Sequence, residues 1–490
     1  MADSVLPFKI KSRTQKRIEN TLGIIAGAMA GRFMRVRSEK LDTYDKYLHS
    51  KQYDHLVPWE QQSDDPEDFI PIRKRRPLVI FGLPKRLVDT VAAKLVGQNV
   101  FPQLKVEDDP DSNEFLRLVL RAAKLPSRVM AAVKGMLANG SSFARFYVVA
   151  GSTIRIETVN SNHCYPEFGP AGELLSVEVR YVYADPIETD EKGKPVEKWV
   201  RYILGPQVDI EFDNPKYIAN QPPVFTEVGR VAHNLGFVQG TWFRTGESRH
   251  SPDGPSLYAD ALAFFDSINY SLSQADQAVA YAHEPQLGIS GMDVDEIDKI
   301  IKSSTKAWNL GRDGSANFIE ANLGGVERGI ELRDKMSQAI QNTTRVLLLD
   351  PEKIVGSAQS AKAMEVLHGP LVELVEELRG SVEDSIVELV NKIAATILIL
   401  EQQGANEIIE IPASFKPEAF AVVASWPPIF PMTMADLQQK VSVANIAATA
   451  SLVSRETLTG WLARDFGIED VEAEVAKVAA QPVINPFGGF

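Results

Sequence analysis

The sequence predicts an α+β fold, mainly helical, and two observations carry that expectation. Between residues 143 and 212, short runs of β-branched and aromatic residues alternate with turns bearing Gly, Pro and Asp, the pattern of an antiparallel meander. From residue 256 onward, apolar residues recur at steps of three and four over long segments, which helices satisfy and strands do not. The chain has 490 residues, 44% hydrophobic and 24% charged. That length permits two or three domains and a large buried core, and the composition is that of a folded protein.

The segment Met1 to about Glu60 mixes basic patches with Tyr44, Tyr47, Tyr53 and Trp59 in a polar helix-and-loop region. Ser63-Asp64-Asp65-Pro66-Glu67-Asp68 reads as an acidic loop. Arg73-Lys74-Arg75-Arg76-Pro77 reads either as a nucleic-acid patch or as a solvated or subunit-contacting loop. Ser112 to about Ala138 has helical periodicity, with Ser112 a candidate N-cap and a break at Pro126. Strands are expected over 143–156, 174–182, 198–204 and 209–212.

At Ser251-Pro252-Asp253-Gly254-Pro255-Ser256 the pattern changes. Ser256 is a candidate cap for a helix running to about Ala282, with Leu257, Ala261, Phe264, Phe265, Ile268, Leu272, Ala275 and Val279 as one apolar stripe. Such a helix is about 40 Å long. Asp260, Asp266, Asn269, Gln274 and Gln277 lie on its other faces. A compact insert follows: a strand over 286–289, a short helix over 293–303, strand pieces at 307–310 and 316–319, and a hairpin turn at Gly311-Arg312-Asp313-Gly314. A second helix is expected over 326–346, a loop over 347–359, and a longer helix over 360–402 that Gly369-Pro370 kinks. Residues 433–480 read as at least three helical pieces, and 481–490 as a tail bearing Pro and Gly.

Several function classes are disfavoured. The formal net charge is −13, whereas phosphate contacts make tight DNA binders basic. An acidic wall suits a surface along which DNA slides, since about six to ten phosphate contacts already hold a duplex strongly. The single Cys164 permits no intrachain disulfide and no multi-cysteine zinc site. Next to His163 it invites a nucleophile reading, but a partly buried thiol on a strand-rich segment is the simpler one. Leu22 to Ala30 is too short for a membrane span and lacks the layout of a secretory signal. No phosphate-cradling Gly-Lys-Ser/Thr loop accompanies Val346 to Glu352, so its likeness to a magnesium-holding strand does not make an ATPase. His283-Glu284-Pro285 lacks the second histidine of a metalloprotease helix. Asp293, Asp295, Glu296 and Asp298 read as the first turn of the short helix, where carboxylates suit the dipole.

The order helix, insert, helix, loop, long helix resembles the core of tailed bacteriophage portal proteins. Residues 76–81 with Leu83-Pro84-Lys85 and 87–97 look like that family's opening segment. Ala138-Asn139-Gly140-Ser141-Ser142-Phe143 is similar to its helix-to-strand glycine junction. Gly254-Pro255-Ser256-Leu257-Tyr258 with Phe265-Asp266-Ser267-Ile268-Asn269 looks like the start of its first stem helix. Residues 285–291 resemble the strand leading into the clip. Ser360-Ala361-Lys362-Ala363-Met364 is similar to the Ser-Gly-x-Ala-Leu run after its tunnel loop, with Ala361 in place of Gly and Met364 in place of Leu. The resemblance covers roughly residues 70 to 465 and rests on order and spacing.

The resemblance implies a portal fold: an N-terminal segment and wing over 1–255, a first stem helix over 256–282, a clip over 283–325 and a second stem helix over 326–346. A tunnel loop follows over 347–359, then a long wing helix and return strand over 360–431, and a crown with C-terminal tail over 432–490. It implies a ring, usually of twelve copies, at the unique vertex of the virion, assembled in the host cytoplasm. Head-to-tail contacts would close that ring. Implied partners are the terminase large subunit, the major capsid and scaffolding proteins, a head-tail adaptor, and double-stranded DNA without sequence specificity. No catalysis, cofactor, metal or membrane is implied. Candidate DNA-facing loop residues are Asp350, Glu352, Lys353, Gly356, Ser357 and Gln359. The two carboxylates would repel phosphate and limit sticking. Candidate tunnel-lining stem residues are Arg328, Arg333, Lys335 and Arg345, which equally suit pairing along the helix, such as Glu331 with Lys335. The rivals are another capsid or baseplate component, which predicts no tunnel loop, a metal-dependent nuclease, which needs converging carboxylates, and a peripheral membrane protein anchored by Leu22 to Ala30.

Overall fold

The structure, a computed structural model, describes residues 35–59, 69–106, 109–149, 153–219, 221–247, 251–283, 286–290, 315–319, 324–347, 361–413, 415–417, 420–430, 434–450, 452–463 and 471–480. The fold mixes helix and sheet, 49% and 22% respectively, so the helix-rich α+β expectation holds. The helices are α1 (35–48), α2 (Leu83–Val96), α3 (Pro110–Ala123), α4 (Leu125–Asn139), α5 (Leu262–His283), α6 (Gly324–Thr344), α7 (Ala361–Leu367), α8 (Gly369–Gln402), α9 (Met434–Thr449), α10 (Arg455–Ala463) and α11 (Val471–Ala480). The strands are β1 (Gln103–Val106), β2 (Ser141–Val149), β3 (Thr153–Asn160), β4 (Cys164–Phe168), β5 (Leu174–Thr189), β6 (Pro195–Leu204), β7 (Val208–Phe212), β8 (Glu227–Ala232), β9 (Gly240–Arg244), β10 (Gln286–Ser290), β11 (Ser315–Ile319) and β12 (Val422–Ser425).

The predicted meander is present: β4 to β8 form an antiparallel five-stranded sheet in sequence order. A second sheet has the order β3-β2-β9. The strand expected over 143–156 is in fact β2 and β3, paired Phe143 to Val159 and Val148 to Ile154. Alternation along β2 splits the interior. Ala144 and Phe146 join the helical core with Leu87 and Val91 of α2, Phe115 of α3, Val133 and Met136 of α4, and Leu389 and Ile393 of α8. Phe143 faces a smaller core with Cys164, Val177, Val179 and Trp242. Each Val, Leu, Ile, Phe or Met among them, once fully buried, contributes about 1.5–3 kcal/mol.

Helix boundaries correct the sequence reading where local chemistry competes. Asp109, not Ser112, caps α3; its carboxylate accepts from the Asp111 N–H at 3.2 Å and the Ser112 hydroxyl at 2.6 Å. The break before α4 falls at Lys124, in the left-handed region at φ 49°, and Pro126 sits in the first turn of α4, where a missing N–H costs nothing. The helix expected from Ser256 starts at Leu262, after a 3-10 turn at Ala259–Ala261. The expected kink in the long helix is a full break at His368, with Pro370 opening α8. The three C-terminal helical pieces are α9, α10 and α11.

Gly140 ends α4 at φ 81°, a conformation L side chains rarely adopt. Its carbonyl accepts from the Thr245 and Gly254 N–H groups, both at 3.1 Å. A Cβ there would lie 2.1 Å from the Gly254 carbonyl oxygen. The glycine therefore brings β2, β9 and the segment before α5 to one point.

Candidate functional site

The two predicted stem helices, α5 and α6, pack against each other, and β10 and β11 pair antiparallel between them, Gln286 opposite Ile319 and Ser290 opposite Ser315. With 22 residues α5 is about 33 Å long, shorter than the 40 Å expected because it starts at Leu262, and α6, with 21 residues, is about 32 Å long.

Both helices are rooted at one end. Phe265 and Ile268 of α5 are buried in the main core. The polar side of α5, which sequence reading assigned to other faces, is covered by the N-terminal segment. Asp266 accepts the Tyr47 hydroxyl at 2.8 Å and the Tyr53 hydroxyl at 2.6 Å. Burial first, and the Asp266 carboxylate second, push both tyrosines well above their ordinary pKa, so they stay protonated and donate. Asn269, 1% exposed, accepts from the Phe81 N–H, and Ser273 accepts from the Val79 N–H. The Tyr270 hydroxyl donates to the carbonyls of Arg73 and Arg75. Arg75 is itself buried, its Nε donating to the Ile70 carbonyl, whereas Arg73, Lys74 and Arg76 of the basic run stay exposed. Beyond Gln277, held by Trp59 at 3.2 Å, cover ends, and Val279 is 38% exposed rather than core.

On α6 the order reverses, as antiparallel packing demands. Ile340, Thr344 and the following Val346 are buried, whereas Ile330 and Leu332 near its start are 42% and 45% exposed. The pair is thus embedded in the body at one end and uncovered toward the β10–β11 hairpin.

The four candidate stem cations do not form one basic face. Arg328 and Lys335 are seven residues apart and lie within about 20° on the helix surface. Arg333 points about 140° away from Arg328. Lys335 pairs with Glu331 at 2.7 Å, as expected, and Arg333 with Asp334 at 2.6 Å. Arg345 lies past the helix at φ 58° and pairs with Glu377 of α8 at 3.0 Å. No ion pair involves Arg328 among the described residues. The helix carries Glu327, Glu331 and Asp334 against Arg328, Arg333 and Lys335, so its charge cancels. The candidate loop residues Asp350, Glu352, Lys353, Gly356, Ser357 and Gln359 lie outside the described residues, as do Leu22 to Ala30, the short helix of the insert with Asp293, Asp295, Glu296 and Asp298, and the turn at 311–314.

The sequence reading missed a buried polar hub beside the segment that leads into α5. Arg37 of α1 donates to both Asp253 oxygens and to the Cys164 and Ser161 carbonyls, and the Ser141 hydroxyl completes the Asp253 shell at 2.5 Å. Arg37 had no visible signal beyond being one of several basic residues in a row. Cys164 is fully rather than partly buried, and burial pushes its thiol up, away from nucleophilic chemistry. His163 stacks on Tyr181 instead. Among the described residues no group of three or more His, Cys, Asp or Glu is placed to hold a metal, and no helix is long and apolar enough to cross a membrane.

No curated protein matches the chain. A chain of the solved structure "Virion of native gene transfer agent (GTA) particle" is similar at 9% identity, covering 66% of this chain and 83% of that one, with a TM-score of 0.37. A chain of "Neck of empty GTA particle computed with C6 symmetry" is similar at 11% identity, covering 78% and 90%, with a TM-score of 0.40. The family model described as "Phage portal protein, SPP1 Gp6-like" matches residues 37–482. With nearly its whole length matched, the chain belongs to the phage portal protein family, a family of structural capsid components rather than enzymes.

Proposed function

We propose that this chain is the portal vertex protein of a tailed double-stranded DNA phage, closing head-to-tail into a ring, in this reading of twelve copies, around a channel for the genome. The observation that carries the reading is the rooted helix pair α5–α6 within a chain of the portal family. A helix hairpin fixed at one end and uncovered at the other is suited to packing against copies of itself around an axis. Its exposed Val279, Ile330 and Leu332 give neighbouring stems something to cover.

In this reading residues 1–255 and 360–431 build the wing, α5 and α6 the stem, 283–325 the clip that meets the terminase motor and later the head-tail adaptor, 347–359 the tunnel loop, and 432–490 the crown within the capsid. The terminase large subunit supplies the force, and the portal guides the duplex during packaging and ejection. Capsid and scaffolding proteins hold it at one vertex, and assembly takes place in the host cytoplasm. The cancelled charge of α6 supports sliding, since a wall that gained many phosphate contacts would hold the duplex fast. Backbone contact without base readout suits a protein that must pass any sequence. Negative-stain electron microscopy of the purified protein tests the reading: rings with a central hole are expected, and monodisperse monomers at high concentration contradict it.

A further inference from the structure

A cleft of about 600 Å³ lies between the two sheets and the C-terminal end of α8. Arg145 of β2 stands in it, between the Tyr147 and Tyr202 rings, with its guanidinium carbon 5.3 and 4.7 Å from the two ring centroids. The Arg145 Nε is buried and makes no hydrogen bond. No carboxylate lies within ion-pair distance of the guanidinium among the described residues. Asp209, across the cleft, is engaged by His233 at 3.3 Å, and Glu157, opposite Arg145 on β3, stays exposed and unpaired with it. A half-buried cation with an orphaned donor is costly unless an anion completes it. Ile399 and Leu400 of α8 give the cleft an apolar wall.

The same chain carries the matching half. β4 pairs with β5 only over residues 174–179, and β7 with β6 only over 202–204. Beyond these, β5 and β6 run on as a ribbon that the 215–217 segment flanks at Glu197–Trp199, where the Trp199 N–H donates to the Pro215 carbonyl and the Tyr217 N–H to the Glu197 carbonyl, and that ends in a two-stranded tip. The ribbon is stiffened by Lys198, which pairs with Asp185 at 2.9 Å and Glu188 at 2.6 Å, while Lys216 also pairs with Glu188. At its tip Ile187 is 92% exposed, and Glu191 is exposed with no ion pair among the described residues. From Pro195 at the tip to Tyr202 in the cleft is seven residues of extended strand, about 23 Å, so the tip cannot fold back into its own cleft.

We infer that the β5–β6 ribbon of one protomer seats in the Arg145 cleft of the next, with Ile187 against the apolar wall and Glu191 on the guanidinium. This rests on the ring reading above and adds to it a specific lock between wings. The two halves lie about 23 Å apart on one chain, separate patches of the kind that a head-to-tail interface requires.

Cysteine cross-linking of assembled particles tests it. Cys164 is the chain's only cysteine and is fully buried, so introduced pairs report cleanly. Ile187→Cys combined with Val231→Cys, which lies on the cleft rim and is 64% exposed, is expected to give a ladder of covalent multimers on oxidation, absent from either single variant. A charge swap gives the second arm. Arg145→Glu and Glu191→Arg are each expected to weaken ring assembly at least about tenfold, with recovery in the double variant. Rings without a ladder and without charge-swap recovery overturn the lock and leave the portal reading standing. Absence of rings in the unmodified protein overturns both.

Discussion

Arg37 and Asp253 form a buried, two-bond ion pair, 2.7 Å from Nε to Oδ2 and 2.8 Å from Nη2 to Oδ1, with side chains only 4% and 8% exposed. The pair joins α1 to the segment that leads into α5, over 216 residues of sequence. Removing one partner leaves the other charged and buried, which costs about 3–5 kcal/mol. Arg37→Met is therefore expected to lower unfolding free energy by about that amount in urea titrations. Arg37→Met with Asp253→Leu is expected to recover part of the loss, because no lone charge remains.

Gly140 and Gly172 separate backbone strain from close approach. Both have positive φ, 81° and 85°, but a Cβ at Gly140 meets the Gly254 carbonyl whereas one at Gly172 meets nothing within 4 Å. Gly172→Ala is expected to cost about 1 kcal/mol from conformation alone. Gly140→Ala is expected to cost clearly more, since β2 and the segment before α5 must move apart. Equal losses in parallel denaturation curves would show that the junction tolerates a methyl group.

The ribbon should be sensitive to acid. Hydrogen bonds from Lys198 and the Ile187 N–H hold Asp185 down to about 2, from an ordinary value of 3.8. A carboxyl whose folded value is lowered adds stability that is complete above the unfolded value and is lost as pH falls through the folded one. Amide protection along residues 181–189 is therefore expected to fade between about pH 4 and pH 2. Asp185→Asn is expected to have low protection already at neutral pH and to lose this step.

His368, at the break between α7 and α8, gives a second pH dependence. Burial, and then the nearby Lys94, lower its pKa below the usual 6.5. The unfolded chain binds that proton first, so global stability is expected to fall as pH drops below about 6.5 toward the lower folded value. His368→Gln is expected to flatten this slope in part. His163, lowered mainly by burial, keeps the remainder. An unchanged slope in thermal scans from pH 7.5 to 5.5, a range of about two units around the free imidazole value, would remove His368 from the account.

Elements whose own residues carry the burial pattern were legible in sequence. The α8 stripe through Leu371, Leu374, Val375, Leu378 and Val382 follows helical spacing, although Gly369-Pro370, read as a kink, is where the helix starts. The meander was legible because turns with Gly, Pro and Asp punctuate it. Polar burial was not. Asp266, Asn269 and Ser273 look like a solvent face, and their partners Tyr53, Phe81 and Val79 lie about 190 to 215 residues away in sequence. The candidate site was legible as a pair of helices around an insert, but not as geometry. Helical phase puts Arg333 off the Arg328–Lys335 line, and Arg345 turned out to be held by α8, a partner no local pattern announces.

The central claim, a ring whose open axis is walled by the stem, is tested most directly by a cryo-electron microscopy reconstruction of the purified assembly. The account predicts an axial channel wide enough for a B-form duplex, with α6 beside it and Arg328 and Lys335 facing the lumen. A closed particle, or α5 and α6 on its outer surface away from any axis, would contradict it.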